Sequence, residues 1–410
     1  MARPRTVYTL VEQQPLALPA PALPEEAAAA LWRRYRAQVE VEPPSFKTGG
    51  EWRLTSQGWA GFLPVTCQIG LLLQPKIALH DLFGMLEVAY DLRGFHVLDG
   101  VFAVTSLPAL YERLALILAR RVLARARQGF YRAYRQQNER ITPLRGRIQL
   151  AEALRTPAEP ALPCTYQEVT TDIDDNRILA WTLYTILRSG LCGPHSLPEV
   201  QRAFRLLAAQ ATLAPMPAAA CRGRAYSRLN DDYRAMHALC AFILEHSGPG
   251  HQPGDQEMAP FLVDLARLFE QFVARWLATR LGDGYRVASQ VRTRVGTAGE
   301  VNNAQAGLHF AIDLVVTDAQ GRPRWVLDTK YKTPASGPDG ADVAQVLAYA
   351  QVQGAPEAVL VYPAPLAQPL DVWVNGVRVR TLAYRLDGDL ETAGAAFIAA
   401  LCDDAPSANQ

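Results

Sequence analysis

Hydrophobic spacing changes character several times along the chain. Residues 1–43 hold a Pro/Ala-rich stretch and one predicted helix, EEAAAALWRRYRAQVEVE, at 25–42. From 51 to 79, EWRLTSQGWAGFLPVTCQIGLLLQPKIAL shows short apolar runs broken by Gly58, Gly61, Gly70 and Pro75, which predicts a compact β-rich module. From about 81 to 137 the period lengthens. LYERLALILARRVLARARQGFYRAYRQQ repeats apolar residues every three to four positions, as an amphipathic helix or helix pair does. A TPLRGRIQL element follows, then TDIDDNRILAWTLYTILRSG, a predicted helix with aspartates at its start and Gly190 near its end. Helical segments near 197–213 and 230–247 come next, and HSGPGHQPGDQ reads as the best linker in the chain.

Beyond that linker the architecture differs. FLVDLARLFEQFVARWLATRL predicts a long amphipathic helix, and YRVASQVRTRV a strand. LHFAIDLVVTDAQGRPRWVLDTKYK predicts two strands joined by a polar turn. DVAQVLAYAQVQG is a predicted helix, EAVLVYP a buried strand, and VWVNGVRVRTLAYRL further strand. This order describes an α/β domain around a mixed sheet. With 410 residues the chain exceeds one ordinary core. The expected organisation is α+β and multidomain: an N-terminal β-containing module over 1–105, a helical middle over 106–250, and an α/β domain over 251–410.

Composition narrows the class. An apolar content of 49% with 20% charged residues describes a globular chain, and a net charge of +1 gives no global polyanion signal. Six scattered cysteines without a CxxC pair argue against a zinc site or a disulfide scaffold and fit a reducing cytosol. The first residues lack the apolar core of a signal peptide, and no stretch of about 18 uninterrupted apolar residues suggests a membrane helix. A cytoplasmic location without membrane contact is expected.

The hairpin carries the candidate chemistry. Asp328 and Lys330 alternate with Thr329, so they project to one face with Cα atoms roughly 7 Å apart. A turn about Gln320–Gly321 sets position 313 opposite 328, which would bring Asp313 to the same face. A one-residue slip would send it away unless a bulge corrected the register. Two carboxylates and a lysine so placed could hold one or two Mg²⁺ ions, polarise a phosphodiester and offset charge building on it. The same pattern also suits the half-exposed face of an ordinary hairpin. Nearby, Gln345 and Tyr349 are spaced i and i+4 on one helix face, with Asp342 one turn earlier. Glu270 lies on the polar side of a helix whose other face is apolar.

Together, Glu270, Asp313, DTK at 328–330 and QVLAY at 345–349 resemble the PD-(D/E)xK nuclease superfamily in order and spacing. More closely, the chain resembles the McrC family, the nuclease subunit of the McrBC modification-dependent restriction system. LLLQPKIALHDLFGMLEVAYDL, LRGRIQLAEALR, CTYQEVTTDIDDNRILAWTL, FLVDLARLFEQFVARWL and VLDTKYK carry the similarity. One departure is Ile312, where a proline is usual before the first acid. The resemblance implies a restriction-endonuclease-like C-terminal domain with Asp313 and Asp328 as metal ligands and Lys330 as the catalytic lysine. It implies that Glu270 aids the metal or its water, and that Gln345 and Tyr349 support the site or touch DNA. Mg²⁺, with Mn²⁺ as a substitute, would be the cofactor. The implied partners are double-stranded DNA, in modified form, and an McrB-like AAA+ GTPase hexamer that the N-terminal module docks on and stimulates. Self-association would come through that complex. GTP would sit on the partner, in keeping with the absence of GxxxxGK[ST] here.

Residues 112–155 hold eleven arginines against three glutamates, a local net of +8. Arg120, Arg121, Arg125, Arg127, Arg132 and Arg135, with Phe130, Tyr131 and Tyr134 interleaved, form a candidate DNA- or partner-contacting patch. A solvated helix face is the plain alternative. Seven single histidines without HExxH, and no GxSxG elbow, leave no competing hydrolase motif. Two other readings stay open: a non-catalytic activator of a AAA+ GTPase, and a stand-alone Mg²⁺-dependent nuclease.

Overall fold

The computed structural model describes residues 6–66, 68–90, 106–156, 159–247, 260–295, 308–332, 334 and 336–403. The chain packs into two compact units, one of residues 1–102 with 263–410 and one of residues 103–262.

In the first unit, β1 (Thr6–Val11), β2 (Leu16–Pro19), α1 (Glu25–Tyr35), β3 (Val39–Glu42), β4 (Glu51–Ser56), β5 (Trp59–Pro64), β6 (Ile69–Gln74) and α2 (Leu79–Ala89) follow in order. β1 runs parallel to β6, which pairs antiparallel with β5, while β2, β4 and β3 form a separate three-stranded sheet. The helix expected to reach residue 42 stops at Tyr35. Val39 and Val41 then alternate with Glu40 and Glu42, and Val39 is fully buried, so this tail pairs with β4 as a strand.

The second unit holds α3 (Leu107–Gln128), β7 (Ala133–Ile141), β8 (Arg147–Ile148), α4 (Leu150–Ala153), β9 (Leu162–Thr170), α5 (Asp174–Ser189), α6 (Leu197–Ala208) and α7 (Asp232–His246). Ser106 caps α3 by accepting from Ala109 N, and Gly129 ends it at φ +88°. The helical pattern expected up to residue 137 therefore ends nine residues early. Residues 133–141 instead pair with β9, a strand their own spacing does not announce. The segment expected to be a helical middle thus contains a three-stranded sheet, β7-β9-β8. α5 matches its expected span, with Asp174 and Asp175 in its first turn and Gly190 in the left-handed conformation at its end.

β10 (Phe261–Asp264) borders β5, and the division between the units falls inside it. The long helix expected from 261 begins at Leu265 as α8 (Leu265–Arg280), because Asp264 accepts from Ala266 N and Arg267 N as its cap. After it come β11 (Tyr285–Val295), β12 (Leu308–Asp318), β13 (Pro323–Thr329), α9 (Gly340–Gln353), β14 (Glu357–Tyr362), β15 (Asp371–Val374), β16 (Val377–Ala383) and α10 (Leu390–Cys402). They form a mixed six-stranded sheet in the order β11-β12-β13-β14-β16-β15. β14 lies parallel to both β13 and β16 and is buried along its length, as its unbroken apolar run requires. Val346, Tyr349 and Ala350 of α9 close over Val315, Val326 and Leu360 of the sheet.

The expected boundaries at 105/106 and 250/251, with the linker residues 248–256, lie outside the described residues. Residues 1–102 and 263–410 share one unit, with α2 against α8. No helix among the described residues is long and apolar enough to cross a membrane.

α10 meets α8 at a point with no spare room. A Cβ on Gly394 would lie 2.2 Å from the indole of Trp276, whose ring is almost fully buried. Gly394→Val should therefore lower stability by about 2–3 kcal/mol through overpacking. The urea midpoint should fall with the slope unchanged; an unchanged midpoint would show that this contact yields freely.

Candidate active site

The β12–β13 turn sets the register of everything above it. Asp318 Oδ1 accepts from Gln320 N and Arg322 N, both at 2.9 Å, and Gly321 takes φ +79°. At the tip Thr317 faces Pro323, one residue out of step with the expected centre. A bulge then leaves Arg324 as the extra residue, so Val316 faces Trp325 and Leu314 faces Leu327. The next positions are Asp313 and Asp328. Continued one step, this register sets Asp313 opposite Asp328, by way of a bulge that compensates for the turn.

The ladder ends at Leu314–Leu327, and the Asp313 side chain takes over beyond it. Its Oδ2 accepts from Thr329 N at 2.9 Å and from Thr329 Oγ1 at 3.1 Å. On the other side β13 stays paired with β14, and Lys330 N donates to Val361 O. Asp328 is thereby enclosed, with 2% of its surface exposed. Lys330 Nζ lies 2.7 Å from Asp328 Oδ2 and 3.6 Å from Asp342 Oδ1, and donates to Gln345 Oε1 at 3.2 Å. Gln345 Nε2 donates in turn to Tyr349 OH at 2.7 Å, and the Tyr349 ring packs on Phe310. Glu270 enters from α8, where Gln290 Nε2 donates to its Oε1 at 2.5 Å. Gln290 takes φ +52°, an uncommon conformation for a non-glycine residue.

Charge balance governs this cluster. Burial raises the Asp328 carboxyl to about 6; the Lys330 bond opposes this and the Asp313 and Asp342 charges add to it. Burial likewise raises Glu270 to about 7, with Asp313 and Asp328 adding to the effect and Gln290 and Arg267 opposing it. Burial alone would lower the Lys330 ammonium. Its bond to Asp328 and the charges of Asp328, Asp342 and Asp313 outweigh that and raise it, so the lysine stays protonated.

The donor set suits a hard divalent cation. Asp328 Oδ2 and Asp342 Oδ2 are buried and, among the described residues, receive no aligned hydrogen bond beside the ammonium contacts from Lys330 and Lys332. Among the described residues, no three His, Cys, Asp or Glu side chains are grouped to hold an ion by themselves. A Mg²⁺ ion held here would have to be bound through one or two of these carboxylates and completed by water and a phosphate.

Glu270, Asp313, Asp328, Lys330, Gln345 and Tyr349 thus meet in one unit. Asp342 and Lys332, which pair at 2.5 Å, carried no expected role, although Asp342 stands one turn before Gln345. Tyr362 was also missed. Its buried hydroxyl has no hydrogen-bond partner among the described residues and is pushed up to about 12 by burial and by the charges of Asp342 and Asp328. Nothing in the run EAVLVY of β14 signals this placement.

The six arginines of the basic patch belong to the unit of residues 103–262. Arg120 holds Glu199 there through two 3.0 Å bonds, Arg125 meets Asp232 at 3.2 Å and covers the Tyr233 ring, and Arg135 lies 3.6 Å from Asp172. Burial lowers the Arg121 guanidinium against the pull of Asp232. Arg127 and Arg132 are exposed. Acids distant in sequence therefore offset much of the local positive charge.

Residues 54–363 match the family model described as a McrBC 5-methylcytosine restriction system component. Among solved structures, the chain is similar to one in a half-complex from a tetradecameric assembly of Thermococcus gammatolerans McrB AAA+ hexamers with bound McrC. Identity is 17%, the match covers 97% of this chain and 99% of that one, and the TM-score is 0.55. A second structure, the T. gammatolerans McrBC complex, matches at 17% identity over 67% of this chain and 88% of that one, with a TM-score of 0.43. No curated protein matches the sequence.

The raised carboxyls make stability depend on pH. Asp328 and Glu270 hold their protons more tightly folded than unfolded, so the stability they contribute is present at acid pH. It is lost as pH rises through about 6 for Asp328 and about 7 for Glu270. Asp328→Asn should therefore flatten the decline in urea stability across this window and exceed wild type at pH 8. Parallel pH profiles would show that the charge imbalance is not felt.

Proposed function

The chain belongs to the McrBC family of 5-methylcytosine restriction system components, and on that footing we propose that it is a metal-dependent DNA endonuclease subunit. Its substrate would be the phosphodiester backbone of modified double-stranded DNA. The observation that carries this reading is the buried Asp328, ion-paired to Lys330 where β12 and β13 part and faced by the carboxylates of Asp313, Asp342 and Glu270.

Asp313 and Asp328 would hold Mg²⁺, which supplies the Lewis acidity that polarises a phosphodiester and acidifies a water. Lys330, kept protonated by its neighbours, would offset negative charge as it builds on the phosphate. Glu270, whose carboxyl is raised to about 7, is poised to exchange a proton with water near neutral pH. Gln345 positions the ammonium, and Tyr349 holds Gln345 in turn. Neither is assigned a chemical step.

The assembly whose fold the chain shares contains McrC bound to McrB AAA+ hexamers, and we extend that partnership to this protein. A AAA+ hexamer would bind and hydrolyse GTP, with docking assigned to the N-terminal module. A non-catalytic activator would keep the same fold without needing a buried Asp–Lys pair beside further carboxylates.

DNA cleavage by the full chain with its AAA+ partner, GTP and Mg²⁺ separates these readings. Asp328→Ala and Lys330→Ala should each reduce cutting by at least about a hundredfold, a loss typical of removing a transition-state contact. GTP hydrolysis by the partner should be unaffected. Equal cutting by wild type and both variants would remove this site from consideration.

A further inference from the structure

Beside the carboxylate cluster lies a second feature that its chemistry does not use. β11 is an edge strand of the six-stranded sheet, and its sequence YRVASQVRTRV has three arginines and no acid. Arg292 pairs with Ala311 and Arg294 with His309 across the β11–β12 ladder, so these four side chains share one face. All four are exposed, while Val291 and Phe310 on the opposite face pack into the core. Arg292, Arg294, His309, Phe310 and Ala311 line an open depression of about 610 Å³. Among the described residues, neither arginine forms an ion pair.

The depression leads away from the carboxylates along both strands. Arg292 and Arg294 lie two and four residues beyond Gln290, whose amide is bonded to Glu270. Ala311 and His309 lie two and four residues before Asp313. Each two-residue step is roughly 7 Å of strand. Charge on an edge strand also keeps it from pairing with another chain, but that need not produce a concave surface beside the cluster with no acid among its described lining residues.

We infer that Arg292 and Arg294 form a phosphate-binding track, which holds the backbone of a DNA strand as it leaves the cluster. The inference rests on the nuclease reading for the identity of its ligand. Guanidinium groups match phosphate oxygens through paired N–H donors, and the small Ala311 leaves room for the backbone to approach. The track carries no base-reading function. It fixes where the strand lies and contributes sequence-independent affinity.

The test uses the full chain carrying Lys330→Ala, with Mg²⁺ and a fluorescently labelled duplex, over a salt series. Arg292→Ala and Arg294→Ala should each weaken binding and reduce the slope of log K against log salt by about 0.9, and together by about 1.8. Arg292→Lys and Arg294→Lys should restore the slope by keeping the charge. Slopes equal to that of the parent would overturn the track, as would a parent that binds no duplex. Cutting by wild type against Asp328→Ala is measured separately. A lost slope with cutting that ignores Asp328 would leave the track standing and remove the nuclease assignment.

Discussion

The constraint on which the site depends is the burial of a carboxylate neutralised directly by Lys330. Asp328 sits inside the sheet, between the end of the β12–β13 ladder and an unbroken β13–β14 ladder. A charge removed from water must be paired or must bind a proton. Lys330 provides the pair at 2.7 Å, yet burial still raises the Asp328 and Glu270 carboxyls, and the neighbouring acids add to that effect. Asp313, Asp328, Asp342 and Glu270 thus outnumber Lys330 and Lys332 at the site.

The surrounding fold serves that imbalance. The bulge at Arg324 fixes the register, the cap at Asp264 starts the helix that delivers Glu270, and α9 delivers Asp342, Gln345 and Tyr349 to one side of the lysine. Even the N-terminal segment contributes, since α2 lies against α8 within the same unit. Positioning passes from packed apolar residues to polar ones: Phe310 to Tyr349, Tyr349 to Gln345, Gln345 to Lys330.

Much of this was legible in residue spacing, and the losses share one cause. The α8–α9 helices, the β12–β13 hairpin and β14 announce themselves by local periodicity. Asp313 fell at its expected register, although the turn alone would have missed it and Arg324 made the correction. By contrast, β7 is mostly polar and is held by pairing with β9 across a gap in sequence, so local pattern mistook it for helix. The acids that offset part of the basic patch were equally hidden, because Glu199, Asp232 and Asp172 meet its arginines only after folding. Gln290 and Tyr362 were invisible for want of any chemical signature in their strands.

The most direct measurement is Mg²⁺ binding to the full chain by titration calorimetry at pH 6.5, repeated in buffers of different ionisation enthalpy. Raised carboxyls that become ligands, or neighbours of a bound ion, must release protons as it binds. Net proton release that disappears in Asp313→Asn and Asp328→Asn is the predicted result. Binding without proton release, or binding that both variants retain, would contradict the account of this cluster as a metal site.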